Sequence, residues 1–514
     1  MIDGLRLHAR YRASKKRLLM ALLGLITGVE FLENVMFVFA ASHIMGGVGA
    51  APREFAQAQA AYAIGSLLMI VKQQWSARQF GYRRYLCAAL ILFILGTIGC
   101  SQSGSLGSLT LFRFIQGVGG GAFFTSSRVL IPLMFKGQER ALAVKYFMYG
   151  IFSASCIGPL LAATLVDSGS WHLVFYGALP PALLALLGAW LLLPDAEPGA
   201  KREPLAIGGL LLFGAAALCL QLMLSETRYD IFTHPYRLML LAVGGSLLLL
   251  GFLLHQWRHP QPILQLRMLI RPVYLTGLGL YFLYYAIKTF SGYLFPIYAE
   301  RGLGLPLVAV GWLDSFAGVA TFVAVYFYIR FGRKIPHKKP LMLVGTLTMA
   351  GVCWWYSLMP AGVDAHWLMY GLAFQGLFAV LVVLPVAGLT YAELGDADFG
   401  HGYQGKNLMR QMATSLSGAL AAVMLQDRQF TVHDHLAATV HAGNPQIDDW
   451  LSRLAEVFCL HGLDSAQAVA GAKAELARLI AQQAQLLACQ ALYRYLAAFT
   501  LVTAVVIAAQ RRLR

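Results

Sequence analysis

Two acids three residues apart, Glu30 and Glu33, lie inside the hydrophobic run LLGLITGVEFLENVMFVFAAS, residues 22–42. Three-residue spacing sets both carboxyls on one helix face, one turn apart. A run of about 20 apolar residues is long enough to cross a bilayer. An acid near the bilayer centre costs about 2.5–3.5 kcal/mol on insertion scales, so such a residue marks an ion or substrate pathway. Reversible protonation is the chemistry this points to. A second charge of this kind, Arg113, lies in LTLFRFIQGVGGG, residues 109–121. A buried guanidinium needs a carboxylate partner, because an unpaired buried charge is costly. Glu33 or Glu30 is the natural one. Protonating that acid would break the pair. Burial and the neighbouring cation act on its proton affinity in opposite directions, a balance that suits a switch. A permanent structural ion pair is the other reading of the same residues.

Further polar residues fall within apolar runs. Lys145 and Tyr149 are one turn apart. Lys288 lies among Tyr281, Tyr284, Tyr285, Phe290 and Tyr293, and Asp314 follows in the next run. Lys145, Tyr149, Tyr285, Lys288 and Asp314 are the candidates to line a substrate cavity, with Lys288 and Asp314 either pairing across helices or touching substrate. The tyrosine cluster suits a flat, lipophilic ligand, or equally an aromatic belt at the membrane boundary. In GIFSASCIGPLLAA, residues 150–163, Gly158-Pro159 removes a helix hydrogen bond and bends the helix. Its small neighbours Ala154, Ala162 and Ala163 permit close helix approach. A hinge or a tight seal is expected there. GHGYQGKN, residues 400–407, imitates a phosphate-binding loop. Asn407 stands where Ser or Thr would hold a metal ion, and no strand precedes it. Nucleotide binding is therefore not expected at that stretch. No cofactor and no metal are expected; His433, His435, His441 and His461 lack ligand spacing.

Composition sets the class. Of 514 residues, 58% are hydrophobic and 12% charged. Soluble chains carry about 25% charged residues, so this is a polytopic membrane protein. A net charge of +16 would fit nucleic acid. The basic residues sit instead in short segments between apolar runs, where the positive-inside rule puts them, and a nucleic-acid partner is excluded. The first run is too long for a signal-peptide core and should stay as a membrane anchor. The seven cysteines show no CxxC spacing. Cys87, Cys100, Cys156, Cys219 and Cys353 read as small hydrophobes, while Cys459 and Cys489 read as residues of a polar loop.

The elements that must position these residues follow from the order of the runs. A basic tail, 1–17, argues for a cytoplasmic N-terminus. Apolar runs at about 18–42, 56–72, 85–101, 107–135, 141–166 and 172–193 form an N-terminal six-helix bundle over 18–193. A proline-bearing linker leads to two more runs within 205–256. The C-terminal bundle, 273–510, holds runs at 273–299, 308–329, 341–359, 366–391, 405–426 and 491–510, with an extracytoplasmic polar segment at 427–490. The total is fourteen, grouped six, two and six, and it places nearly all loop lysines and arginines on one side with both termini cytoplasmic. Two inside loops, QQWSARQFGYRR (73–84) and YIRFGRKIPHKK (328–339), occupy equivalent places in the two bundles. Each joins an aromatic-Gly pair to basic residues.

These motifs resemble a known family. The 109–121 stretch, with Arg113, Gln116, Gly117 and Gly119, is similar to the fourth-helix motif of proton-coupled antiporters of the major facilitator superfamily. The 150–163 stretch, with Gly150, Gly158 and Pro159, resembles their fifth-helix antiporter motif. Trp171, Phe175 and Pro180 keep the spacing of the fourteen-helix EmrB/QacA branch, and Glu33 stands at that branch's first-helix Asp position. Arg330, Gly332 and Arg333 match the cytoplasmic gating loop of the second half; in the first half only Gly81 and Arg83 remain, with Gln74 and Arg78 replacing the usual Gly and Asp. The resemblance implies an all-helical fold with 14 transmembrane helices and alternating access. It implies proton-coupled efflux of lipophilic organic compounds or drugs across a bacterial inner membrane, not an enzyme. Glu33 would carry the proton, Glu30 would assist, and Arg113 would couple. It also implies small-molecule substrate, protons and membrane lipid as partners, together with a periplasmic adaptor and an outer-membrane channel, for which the 427–490 segment would be the docking surface. A dedicated exporter of one metabolite or siderophore remains an alternative, as does a non-transport scaffold or sensor.

Overall fold

Helix follows helix throughout the described residues. The computed structural model describes all residues except 1–12, 51, 195–206, 232, 260–261, 267–269, 332–334, 336, 392–393, 396–397, 441–444 and 511–514. Most of the basic tail, and Gly332 and Arg333 of the second gating loop, lie outside the described residues. The first half runs α1 (Ala13–Phe39), α2 (Ala41–Gly47), α3 (Pro52–Phe80), α4 (Tyr82–Ser101), α5 (Leu106–Gly120), α6 (Phe123–Met134), α7 (Gly137–Asp167), α8 (His172–Tyr176) and α9 (Leu179–Leu192). Then come α10 (Ile207–Asp230) and α11 (Pro235–Arg258). The second half holds α12 (Pro272–Ile297), α13 (Leu307–Phe331), α14 (Lys339–Tyr356), α15 (Ala365–Thr390), α16 (Phe399–Thr439), α17 (Pro445–Leu460) and α18 (Ser465–Ala509).

Among the described residues, ten helices are long and apolar enough to cross a membrane. The four remaining apolar runs fall on α3, the α5–α6 pair, α12 and α14. Glutamines and Lys72 dilute α3, and the α5–α6 run is interrupted at Gly121 and Ala122. Outward faces carry exposed leucines, such as Leu183, Leu187 and Leu191 on α9 and Leu240 and Leu247 on α11. An apolar exterior costs nothing in lipid, where hydrocarbon is the solvent.

The two halves repeat one packing pattern. In the first, α1 packs on α7, α3 on α5, and α4 on both α5 and α9. In the second, α12 packs on α16, α13 on α15, and α14 on both α15 and α18. The halves meet along α7–α13 and along α3–α16, while α10 and α11 pair with each other and lean on α3 and α16 through α10. Small residues make the closest crossings. A Cβ on Gly24 of α1 would sit 2.5 Å from the Tyr146 carbonyl oxygen of α7, and one on Gly117 of α5 would sit 2.2 Å from the Tyr62 carbonyl oxygen of α3. Small residues at lipid-embedded crossings let backbones approach this closely.

One sequence expectation needs correction. Cys489 is not in a polar loop: it is fully buried in α18, packed with Leu486, Leu492 and Tyr493, whereas Cys459 is exposed at the end of α17. Both thiols are free. The polar segment is largely helical, because α16 continues to Thr439 and α18 begins at Ser465, with α17 packed along α18.

Candidate functional site

Glu33 of α1 and Arg113 of α5 form a buried ion pair, with both side chains about 2–3% exposed. Arg113 Nη1 donates to Glu33 Oε1 and to Gln116 Oε1, the latter at 2.6 Å. Gln116 Nε2 in turn donates to Thr97 Oγ1 of α4 at 2.8 Å. The guanidinium is sandwiched between rings, 3.7 Å from the Phe37 centroid and 4.3 Å from that of Tyr62. Glu33 Oε2 has no hydrogen-bond partner among the described residues. All these groups belong to the first half. The helix spacing explains the arrangement: Arg113 and Gln116 are three apart and share a face.

Glu30, one turn earlier, faces a different set. Its Oε2 accepts the backbone N–H of Phe124 at 3.0 Å, and its Oε1 accepts Arg410 Nη2 of α16 at 3.3 Å. The break at Gly121 and Ala122 starts a new helix at Phe123. A helix start leaves its first N–H groups without intrahelical partners and carries positive dipole character. The carboxylate of Glu30 fills that position. Asn34 Nδ2 ties the region together by donating to the Glu30 carbonyl at 2.8 Å and to Tyr62 Oη at 3.0 Å. Glu30 therefore bridges the two halves of the molecule, and Glu33 does not.

The first turns of α16 supply the second half's side of the site. Lys406 is 3% exposed, with its Nζ 3.3 Å from Tyr285 Oη. Its ammonium lies 4.6 Å from the Phe124 ring, 5.0 Å from Tyr281, 5.2 Å from Tyr403 and 5.4 Å from Tyr285. Asn407 Nδ2 donates to Thr125 Oγ1 of α6 at 2.5 Å. Gln404 Nε2 donates to the carbonyls of Ile70 and Val71 of α3 at 2.8 and 2.5 Å. Lys406, Arg410 and Gln404 were not singled out by the sequence. The 400–407 stretch attracted notice only as a false phosphate loop, yet it packs at the junction of the halves. The available signal was the pair Lys406 and Arg410, one turn apart at the start of an apolar run.

The remaining candidates scatter around this centre. Pro159 of α7 lies against α13, where a Cβ on Gly311 would sit 3.1 Å from its carbonyl oxygen and Leu160 N donates to Ser315 Oγ at 3.0 Å, whereas Gly158 faces α1, where its Cβ would sit 2.8 Å from Val35 Cγ1. Gly150, one end of the same motif, is pressed on Gly24 of α1. Tyr149 meets Phe322 of α13 with ring centroids 5.3 Å apart. Lys145, on the same helix, is half-buried. Lys288 is accessible and within electrostatic range of Arg410. The pairing envisaged for Lys288 and Asp314 is absent: neither has an ion-pair partner among the described residues, and Asp314 lies instead near Tyr356. Gly81 joins α3 to α4 with φ of +78°, a conformation glycine adopts without strain, and Arg83 lies over the Trp190 ring at 4.7 Å. Arg330 is exposed at the end of α13.

Comparison with known proteins sets this geometry in a family. The family model described as Major Facilitator Superfamily matches residues 23–422. "Multidrug export protein EmrB" of Haemophilus influenzae is 24% identical over 434 residues, covering 83% of this chain and 84% of that protein. "Putative multidrug resistance protein MdtD" of Salmonella paratyphi B is 25% identical over 414 residues, covering 77% of this chain and 84% of that one. A proton-dependent oligopeptide transporter structure superposes with a TM-score of 0.60 at 13% identity, covering 96% of this chain and 98% of its own. The xylose transporter XylE of E. coli, partially occluded and inward open, gives 0.53 at 15% identity, covering 80% and 91%. At such identity the solved structures speak for the fold alone. The match over most of the chain, the repeated halves and the named relatives lead to one conclusion: this protein is a multi-pass membrane transporter of the Major Facilitator Superfamily, of the EmrB/QacA drug-transporter type.

Proposed function

We propose that the protein exports lipophilic organic compounds across the bacterial inner membrane by alternating access, driven by inward proton flow. The reading takes all fourteen apolar runs as spans, grouped 6+2+6, with both termini in the cytoplasm. On that topology the contacts of Gln404 and Asn407 with α3 and α6 lie at the cytoplasmic end and must part when the cavity opens inward. The Pro159-Leu160 face of α7 is the seam along which α13 moves.

The observation that carries the proposal is the sharing of two adjacent carboxylates between two guanidinium groups. Glu33 holds Arg113 within one half, and Glu30 holds Arg410 across the halves. A proton on either acid removes its negative charge and leaves the partner guanidinium without a counter-ion. On Glu33 it would occupy Oε2 and release the Arg113 network; on Glu30 it would weaken a bond between the moving bodies. Glu33 is the main proton carrier in this scheme, Glu30 the relay to the interface, and Arg113 the coupling partner. The gating-loop residues Gly81, Arg83 and Arg330 border the cytoplasmic end in this scheme, and Gly332 and Arg333, outside the described residues, are assigned to the same loop by their motif alone. The relative called EmrB is named as an export protein, which favours efflux. The helical 427–490 segment is the proposed face for a periplasmic adaptor leading to an outer-membrane channel.

The test is gradient-driven transport in proteoliposomes, following a lipophilic dye and internal pH together. Dye movement should require the pH gradient and should be abolished in Glu33→Gln while the protein stays folded. Gradient-independent movement, or full coupling in Glu33→Gln, would overturn the scheme.

A further inference from the structure

The junction of the halves holds more positive charge than its acids balance. Lys406 has no ion pair among the described residues; its neighbours are four aromatic rings and the Tyr285 hydroxyl. Arg410 and Arg128 lie close enough to act on it electrostatically, and Glu30 is the acid within that range. Arg128 comes from α6 of the other half, stands 4.8 Å from the Phe399 ring, and leaves Nη1 buried without a hydrogen-bond partner. Arg410 leaves Nε in the same condition. Lys288 approaches Arg410 from α12. Arg410 and Arg128 thus surround Lys406, and Lys288 adds its charge beside Arg410, while Glu30 is already engaged by Arg410.

Cation–π contacts return only part of the desolvation cost of a buried ammonium. An anion entering this space would restore the balance and complete the unused donors of Arg128 and Arg410. The walls specify its body. Tyr285, only partly buried, presents an aromatic face backed by the buried Tyr281 and Tyr284, with Tyr284 and Tyr285 edge to face at 5.0 Å. Such a surface accepts a flat ring by offset or edge contact. A cationic substrate finds the opposite: Glu33 is committed to Arg113 and Glu30 to Arg410, and Asp314 stands apart beside Tyr356.

We propose that Lys406, with Arg128, Arg410 and Lys288, forms the binding site for an anionic substrate group, and that the compounds transported are aromatic organic acids bound as carboxylates. The inference deepens the efflux reading and rests on it, but its test needs no gradient. The full-length protein in detergent is titrated with 2-naphthoate, its neutral amide 2-naphthamide, and tetraphenylphosphonium. Naphthoate should bind at least about tenfold more tightly than the amide, the ratio expected for one charge-assisted contact. Lys406→Gln should remove that preference and Lys406→Arg should keep it. Should Lys406→Gln not fold, Lys288→Gln at the accessible edge should still reduce the preference several-fold. Equal binding of acid and amide, or a preference that survives Lys406→Gln, would overturn the proposal. So would tight tetraphenylphosphonium binding that Asp314→Asn abolishes. Dye export without naphthoate binding would defeat this inference alone; naphthoate binding without gradient-driven movement would defeat the export scheme instead.

Discussion

Glu33 and Glu30 sit one turn apart on the same helix face, yet they belong to different machines. Glu33 lives wholly inside the first half, where its partner Arg113 is fixed by Gln116, Thr97 and two ring faces. Glu30 reaches over the boundary and is held from both sides, by the start of α6 and by Arg410 of α16. A site within one rigid body can store a proton without moving anything. A site between two bodies converts a proton into a change of interface strength. The comparison teaches that proximity in sequence fixes neither role; the origin of the second partner does.

The sharpest way to break the comparison is to remove Arg113. Its loss strands the Glu33 charge in a dry environment, and breaking a buried pair from one side costs about 3–5 kcal/mol. Arg113→Ala should therefore lower thermal stability in detergent by the largest margin of any change considered, and Glu33→Gln in the same chain should recover much of the loss. Recovery identifies the penalty as an orphaned charge. A double variant as unstable as Arg113→Ala alone would show that the guanidinium acts through its packing on Phe37 and Tyr62 instead.

Arg410 should behave differently. Glu30 keeps the Phe124 N–H after Arg410→Gln, so the stability loss should be smaller, while exchange between inward- and outward-open states should change more. A double-mutant cycle of Glu30→Gln and Arg410→Gln should give a coupling of about 0.5–3 kcal/mol, as for groups in contact, measured on the population of the cytoplasmically closed state by spin labels across that end. A coupling near zero there, with normal coupling in overall stability, would remove Glu30 from the interface mechanism.

The contrast between the two sites also explains what was legible in the chain. Glu33 and Arg113 announced themselves because each breaks an otherwise apolar pattern and each requires an opposite charge. The repeated halves were legible through the spacing of the apolar runs and the paired basic loops. Lys406 and Arg410 break the pattern just as plainly, but they stand at the start of α16, where basic residues look like loop residues drawn to the membrane edge. Only folding reveals that α16 begins among buried residues, against α3 and α6. Asp314 and Lys288 show the reverse: opposite charges in neighbouring spans left a pair open beside a contact with substrate, and sequence carries no distance with which to reject the pair. The break at Gly121 was likewise invisible as a site, since three glycines in a row carry no side chain that would mark a helix start aimed at a carboxylate.

The smallest expected effect tests the second seam between the halves. Ser315 Oγ of α13 accepts the Leu160 N–H of α7 at 3.0 Å, immediately after Pro159. Proline removes one donor from the helix and disturbs the turn around it, and the next N–H, that of Leu160, reaches a side chain of the opposite half. A single neutral hydrogen bond contributes about 0.5–1.5 kcal/mol net. Ser315→Ala should cost an amount in that range if the amide is left dry, and it should loosen α7 against α13 without touching either buried acid. Amide hydrogen exchange at Leu160 reads this directly: faster exchange there, with unchanged exchange along α5, places the bond on the moving seam. Unchanged exchange at Leu160 would mean that its amide is protected by the α7 turn itself. The α7–α13 contact would then be held by its apolar packing, and the Glu30–Arg410 bridge would be left as the polar tie that a proton can cut.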